Sequence, residues 1–211
     1  MFNFSSKTIV NKEMKAADVL RTIHADREAR EDASCIKSIV LENVLKAETL
    51  NCEQDPEFKE IYVFEIQTNK DIVPSVFLKS LDLKVNFHTF YVIKSPNKTT
   101  CVICFKEIGK TNKLGKYYTK ECLDDVVDVP YISSVPEAYK FLYSFVLNVP
   151  YRESETPKEL QGRINVIRKA EYDIEQLEKA IVYTAQPKKK FEYHQKIKLL
   201  KEKLEEALRG N

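Results

Sequence analysis

The chain has 211 residues, 43% hydrophobic and 31% charged, with 34 Lys and Arg against 32 Asp and Glu for a net charge of +2. That is enough apolar material for one sizeable core plus an appendage. No apolar run approaches the roughly 18 residues that span a bilayer, and Met1-Phe2-Asn3-Phe4-Ser5-Ser6-Lys7 lacks the charged-then-apolar layout of a secretion signal, so a globular cytoplasmic protein without a membrane segment is expected.

In chain order, an amphipathic helix is expected over 12–29, where Met14, Ala17, Leu20 and Ile23 share one side. Strand-like runs follow at 36–46 and 60–67, and 88–94 with 99–106 reads as a hairpin across Ser95-Pro96-Asn97-Lys98. A short helix fits 74–81, and Tyr117-Tyr118-Thr119 suits an edge strand beside the lysine-bearing 109–115 loop. Ser134-Val135-Pro136-Glu137 is a capping box opening a helix through Leu147, with Ala138, Phe141, Leu142, Phe145 and Val146 as its buried stripe. These elements make an α+β fold class, a compact mixed domain over 1–150.

After a connector at 151–156, the segment 157–211 carries coiled-coil spacing. Leu160, Ile164, Ile167, Ala170, Ile174, Leu177 and Ile181 step by threes and fours, as do Tyr193, Ile197, Leu200, Leu204 and Ala207. Thr156-Pro157-Lys158-Glu159 supplies an N-cap, a first-turn proline and a capping glutamate, and Gly210 supplies a C-cap. The first helix should run about 29 residues, roughly 43 Å, and the second somewhat less. Ala185-Gln186-Pro187-Lys188 reverses the chain, so the two helices form an antiparallel hairpin. Ile174, Leu177, Ile181, Ile197, Leu200 and Leu204 are the seam positions that either hold the hairpin's halves together or bind a partner.

From Tyr151 onward there are 14 Lys and Arg against 11 Asp and Glu, leaving 20 against 21 before it. Lys188, Lys189 and Lys190 fall in the first turn of the second helix, where the macrodipole favours acids. Either a phosphate backbone compensates, with Phe191, Tyr193 and His194 available for stacking, or the lysines solvate an exposed tip while Phe191 and Tyr193 pack across the turn. The second reading requires less.

Five irregularly spaced cysteines suit reduced thiols. Cys101 and Cys104 lie three apart on a strand and point to opposite faces, so they do not share a metal. His24, His88 and His194 fall on separate elements, and Gly109-Lys110-Thr111 lacks the upstream glycine of a phosphate loop. No cofactor and no histidine or cysteine metal site is implied.

Several segments together resemble the bacterial domain-of-unknown-function family 4391. They are Met1-Phe2-Asn3 with Val10-Asn11-Lys12, then Lys46-Ala47-Glu48-Thr49-Leu50-Asn51, Glu60-Ile61-Tyr62-Val63-Phe64-Glu65-Ile66, Phe90-Tyr91-Val92-Ile93 and the closing charged helix. The resemblance spans essentially the whole chain. It implies a compact N-terminal domain, a helical C-terminus and the company of DNA methyltransferases and helicases of restriction-like systems.

That company raises a nuclease reading. Restriction-type cores set an acid at one strand start and an acid-x-lysine on the next, so that carboxylates hold a divalent metal beside a cation. Here the nearest match is Glu48 followed by Glu65-Ile66-Gln67, with Gln67 in the lysine's place. Period two puts Glu65 with Ile61, Val63 and Gln67, opposite a buried face of Tyr62, Phe64 and Ile66. The preferred expectation is a non-enzymatic adaptor of a DNA-modification or defence system, docking a methyltransferase or helicase subunit, or a second copy, through the hairpin. The alternative is a DNA-acting protein, either a nuclease or a DNA-binding module.

Overall fold

The computed structural model describes residues 2–123 and 126–209, and the expected Gly210 cap lies outside them. The chain divides into two compact units, Met1–Leu147 and Asn148–Asn211. In the first, strand β1 (Ile9–Met14) precedes two short helices, α1 (Ala16–Thr22) and α2 (Arg27–Asp32). The single helix expected over 12–29 is therefore replaced by a strand and two helices. His24 adopts a left-handed φ of 50°, and Asp26 opens α2 by accepting a 2.8 Å bond from the Ala29 amide. An aspartate that can cap a new helix competes with continuation of the old one.

Strands β2 (Ile36–Lys46), β3 (Glu60–Thr68), β4 (His88–Lys94), β5 (Thr99–Glu107) and β6 (Lys113–Cys122) join β1 in one sheet whose spatial order follows the chain. Every neighbouring pair is antiparallel except β3 and β4. A parallel step needs a crossover, which α4 (Ser75–Lys84) provides, beginning one residue later and ending three residues later than the 74–81 expected. Asp32 caps it from the end of α2, accepting from the Val76 and Phe77 amides at 2.8 and 3.0 Å. The edge strand expected at 117–119 is the middle of the ten-residue β6.

Both faces of the sheet are covered. On one, Ile39, Leu41, Phe64, Ile66, Tyr91, Ile93 and Val102 pack with Ala29 of α2, Ala33 just beyond it, and Phe77, Leu78 and Leu81 of α4. On the other, α5 (Val135–Leu147) lays Tyr139 against Phe105 and His88, and the Tyr139 hydroxyl donates to the Cys104 carbonyl at 2.9 Å. Its buried arc thus includes Tyr139 and Tyr143, while Phe141 and Phe145 are half-buried and meet Phe2. Two-sided cover also buries Ile61 and Val63, on the side of β3 that alternation alone leaves half exposed.

His88 shows what this burial costs a titratable group. Its ring is stacked on Phe58 at 4.5 Å, and Nδ1 is buried with no hydrogen-bond partner. Burial, aided by the Lys106 cation, pushes its pKa from 6.5 down to about 4, against the bond to the Glu57 backbone and the Asp55 charge. The unfolded chain therefore binds the extra proton between these two values. Stability should be full above about pH 6.5 and fall by about 3 kcal/mol as pH drops toward 4. Urea unfolding across that window measures the slope, and His88→Phe should flatten it.

In the second unit, α6 (Pro157–Tyr183) and α7 (Pro187–Leu208) pack together as an antiparallel hairpin. Thr156 and Glu159 form the reciprocal capping box, with Glu159 Oε2 accepting from the Thr156 amide at 2.7 Å. Leu160, Ile164, Ile167, Ala170 and Ile174 are the buried stripe of α6. Of the other seam positions, Ile197 is buried and Leu177, Ile181, Leu200 and Leu204 are half-buried. The open end is tied by Arg163, whose guanidinium meets Glu155 at 2.6 and 2.9 Å and the carbonyls of Pro150 and Ala207 at 2.7 and 2.9 Å. Burial raises the Glu155 pKa, but Arg163 and the Arg152 amide together hold it below the ordinary glutamate value.

Candidate functional site

The middle of β2 departs from regular pairing. Leu41 pairs with Phe64 and Asn43 with Val63, so Glu42 is an extra residue, a β-bulge. On the other edge Ile9 pairs with Asn43 and Lys12 with Leu41, and Asn11 absorbs the mismatch with a φ of 47°, which asparagine tolerates better than most residues. A regular strand sends successive side chains to opposite faces. The bulge instead puts Glu42 and Asn43 on one side, where they line a cleft of about 90 Å³ with Phe2, Val63, Glu65 and Val92. An adjoining cleft of about 270 Å³ shares Phe2, Glu42 and Asn43 and adds Asn3, Phe4, Ile9 and Asn11. Asn43 Nδ2 donates to Thr8 Oγ1 at 2.9 Å, which leaves its carbonyl oxygen as the group it can offer the cleft.

Glu65 is not without a cation. Parallel pairing sets Glu65 beside Val92 and Gln67 beside Lys94, and Lys94 Nζ reaches back to Glu65 Oε2 at 2.6 Å. Gln67 Nε2 lies 3.5 Å from the other oxygen. The Glu65 side chain is only 12% exposed, so this pair is screened less than a surface one. Burial first, and then the Glu65 charge, hold the Glu42 carboxyl above the ordinary glutamate value, with Lys94 opposing. One ammonium, paired to Glu65, thus faces two carboxylates, and a second positive charge would offset the repulsion between them.

Glu48 is not part of this arrangement. It stands on α3 (Ala47–Leu50), solvent-facing and 3.6 Å from Lys46. Lys46 pairs with Glu60, and Glu65 lies five residue steps further along the strand, about 17 Å away. Lys188, Lys189 and Lys190 lie on α7, in the other unit. Cys101 Sγ sits 3.4 Å from Cys122 Sγ rather than beside Cys104, and burial pushes the Cys104 thiol up to about 12, which makes it a poor nucleophile. Among the described residues no group of three His, Cys, Asp or Glu is arranged around a metal. A cation here would take two carboxylates, a neutral oxygen and waters, the habit of Mg²⁺.

Glu42, Asn43 and Lys94 escaped sequence reasoning. Lys94 comes from a different strand than an acid-x-lysine pattern supposes. Glu42-Asn43 did leave a trace, since two consecutive polar residues interrupt Ile39-Val40-Leu41 and Val44-Leu45, which strict alternation does not produce.

Fold and cleft together define an α+β unit with a carboxylate–lysine cleft on its sheet, joined in sequence to a helical hairpin. The family described as Domain of unknown function (DUF4391) matches residues 30–204, and the chain belongs to it. No curated protein and no solved structure matches. No helix among the described residues is long and apolar enough to cross a membrane.

Proposed function

We propose that this protein acts on DNA in the cytoplasm as part of a bacterial DNA-modification or defence system, hydrolysing phosphodiester bonds at the Glu42–Glu65–Lys94 cleft with a divalent cation. The observation that carries the reading is the bulge that turns Glu42 and Asn43 toward Glu65 while Lys94 arrives from the next strand. Glu42 and Glu65 would hold the ion, and the Asn43 carbonyl offers a third oxygen. When bound, the ion supplies charge to a phosphate and activates water. The Lys94 ammonium, 2.6 Å from Glu65 Oε2, would be placed to meet the negative charge that develops on a phosphate bound there. The test is cleavage of plasmid and linear DNA with Mg²⁺ or Mn²⁺, comparing the wild type with Glu65→Gln.

The same site makes cation binding pH-dependent. Burial and the Glu65 charge raise the Glu42 carboxyl above its ordinary value, so below that titration a proton competes with the cation for Glu42. Mn²⁺ affinity, read by calorimetry in two buffers of different ionisation enthalpy, should rise with pH through the Glu42 titration. The Glu42→Gln variant should bind more weakly and lose that dependence.

A second reading, a non-enzymatic adaptor that docks a methyltransferase or helicase subunit, or a second copy, through the hairpin, draws support from exposed Val166, Tyr172 and Leu199 on its helices. In that case Glu65–Lys94 is a structural ion pair, and Glu65→Gln leaves partner recovery unchanged.

A further inference from the structure

We infer that the hairpin tip is a contact for single-stranded nucleic acid, independent of base sequence. Lys188 and Lys189 are exposed and Lys190 half-buried in the first turn of α7, which contains no acidic residue. The same turn region exposes Val182 at 75%, Tyr183 at 88% and Phe191 at 65%. A tip that is merely solvated needs lysines but gains nothing from bare rings, and its aromatic residues would pack across the turn. Phe191 does not. A pocket on a protein partner would take the rings but has no use for three adjacent cations. Unstacked bases with their phosphates use both, since rings offer π-faces to any base while lysines neutralise the backbone. Successive positions at the start of a helix fan out by about 100°, so the three lysines can meet more than one phosphate.

The test uses the full chain in EDTA, so that no metal-dependent cleavage contributes, with fluorescein-labelled 20-mer oligothymidylate followed by anisotropy over a KCl series. The wild type should bind with a salt-dependent affinity. Replacing Lys188, Lys189 and Lys190 together by Gln should lower the slope of log K against log salt by about 2, since each single-strand phosphate contact contributes about 0.7. Phe191→Ala should weaken binding about tenfold with the slope unchanged, and Phe191→Leu, which keeps apolar bulk without the ring, should do the same. Circular dichroism establishes that each variant keeps its helices. Three results overturn the inference: no oligonucleotide binding by the wild type, an unchanged slope in the triple variant, or binding to phosphatidylserine vesicles in place of the oligonucleotide.

Discussion

Glu65→Gln should reduce metal-dependent DNA cleavage by about 10²- to 10³-fold, the loss expected when one charged group is removed from an electrostatic centre. Glutamine preserves the shape and the bond to Gln67 but cannot balance a cation, so the fold should survive. The half-exposed Lys94 can turn to solvent, which keeps the stability cost to about 1 kcal/mol. Lys94→Met separates the roles. If Lys94 only neutralises Glu65, added Mg²⁺ takes over that role and cleavage stays near the wild-type rate. If its ammonium meets the reacting phosphate, turnover falls with little change in cation affinity. A wild type that cleaves nothing with Mg²⁺ or Mn²⁺, or a folded Glu65→Gln variant that cleaves at the wild-type rate, removes the hydrolase reading and leaves the adaptor.

How much of this was legible beforehand follows from which interactions are local. The caps at Ser134 and Thr156, the β4–β5 hairpin and the seam of α6 and α7 are written in short stretches, and they appear where their residues announce them. The first helix did not, because Asp26 begins a second one and Lys12, Glu13 and Met14 are drawn into pairing with β2. The site depended on the least local events of all. Glu42 is turned by a bulge that exists only once β1, β2 and β3 are in register, and Lys94 reaches Glu65 only because β4 runs parallel to β3. A strand read alone places Gln67, its own second neighbour, next to Glu65. The pleat cannot reveal which residue of another strand stands closer.

On the opposite face of the sheet, Asp82→Ala should destabilise the first unit by about 3–5 kcal/mol, because it strips the partners from a buried cluster. Asp82 accepts from the hydroxyls of Thr89, Tyr91 and Tyr117, and Lys106 Nζ lies 3.6 Å away. Burial pulls the Lys106 pKa down and the Asp82 charge pulls it back. Lys106 also donates to the carbonyls of Asp82 and Val85 at 3.3 and 3.1 Å, and Asn112 to that of Val85 at 2.8 Å. Together they close the C-terminal end of α4, where orphan carbonyls and the helix dipole favour a cation. Without Asp82 three hydroxyls and an ammonium are left in an apolar interior, whereas Asp82→Leu combined with Lys106→Met removes both charges at once. Urea unfolding should find that double variant markedly more stable than the sum of its single changes. Additive losses would mean that the ammonium is held by the α4 carbonyls rather than by Asp82. Cleavage should be unaffected in every folded variant, since the cluster and the Glu65 cleft lie on different faces of one sheet.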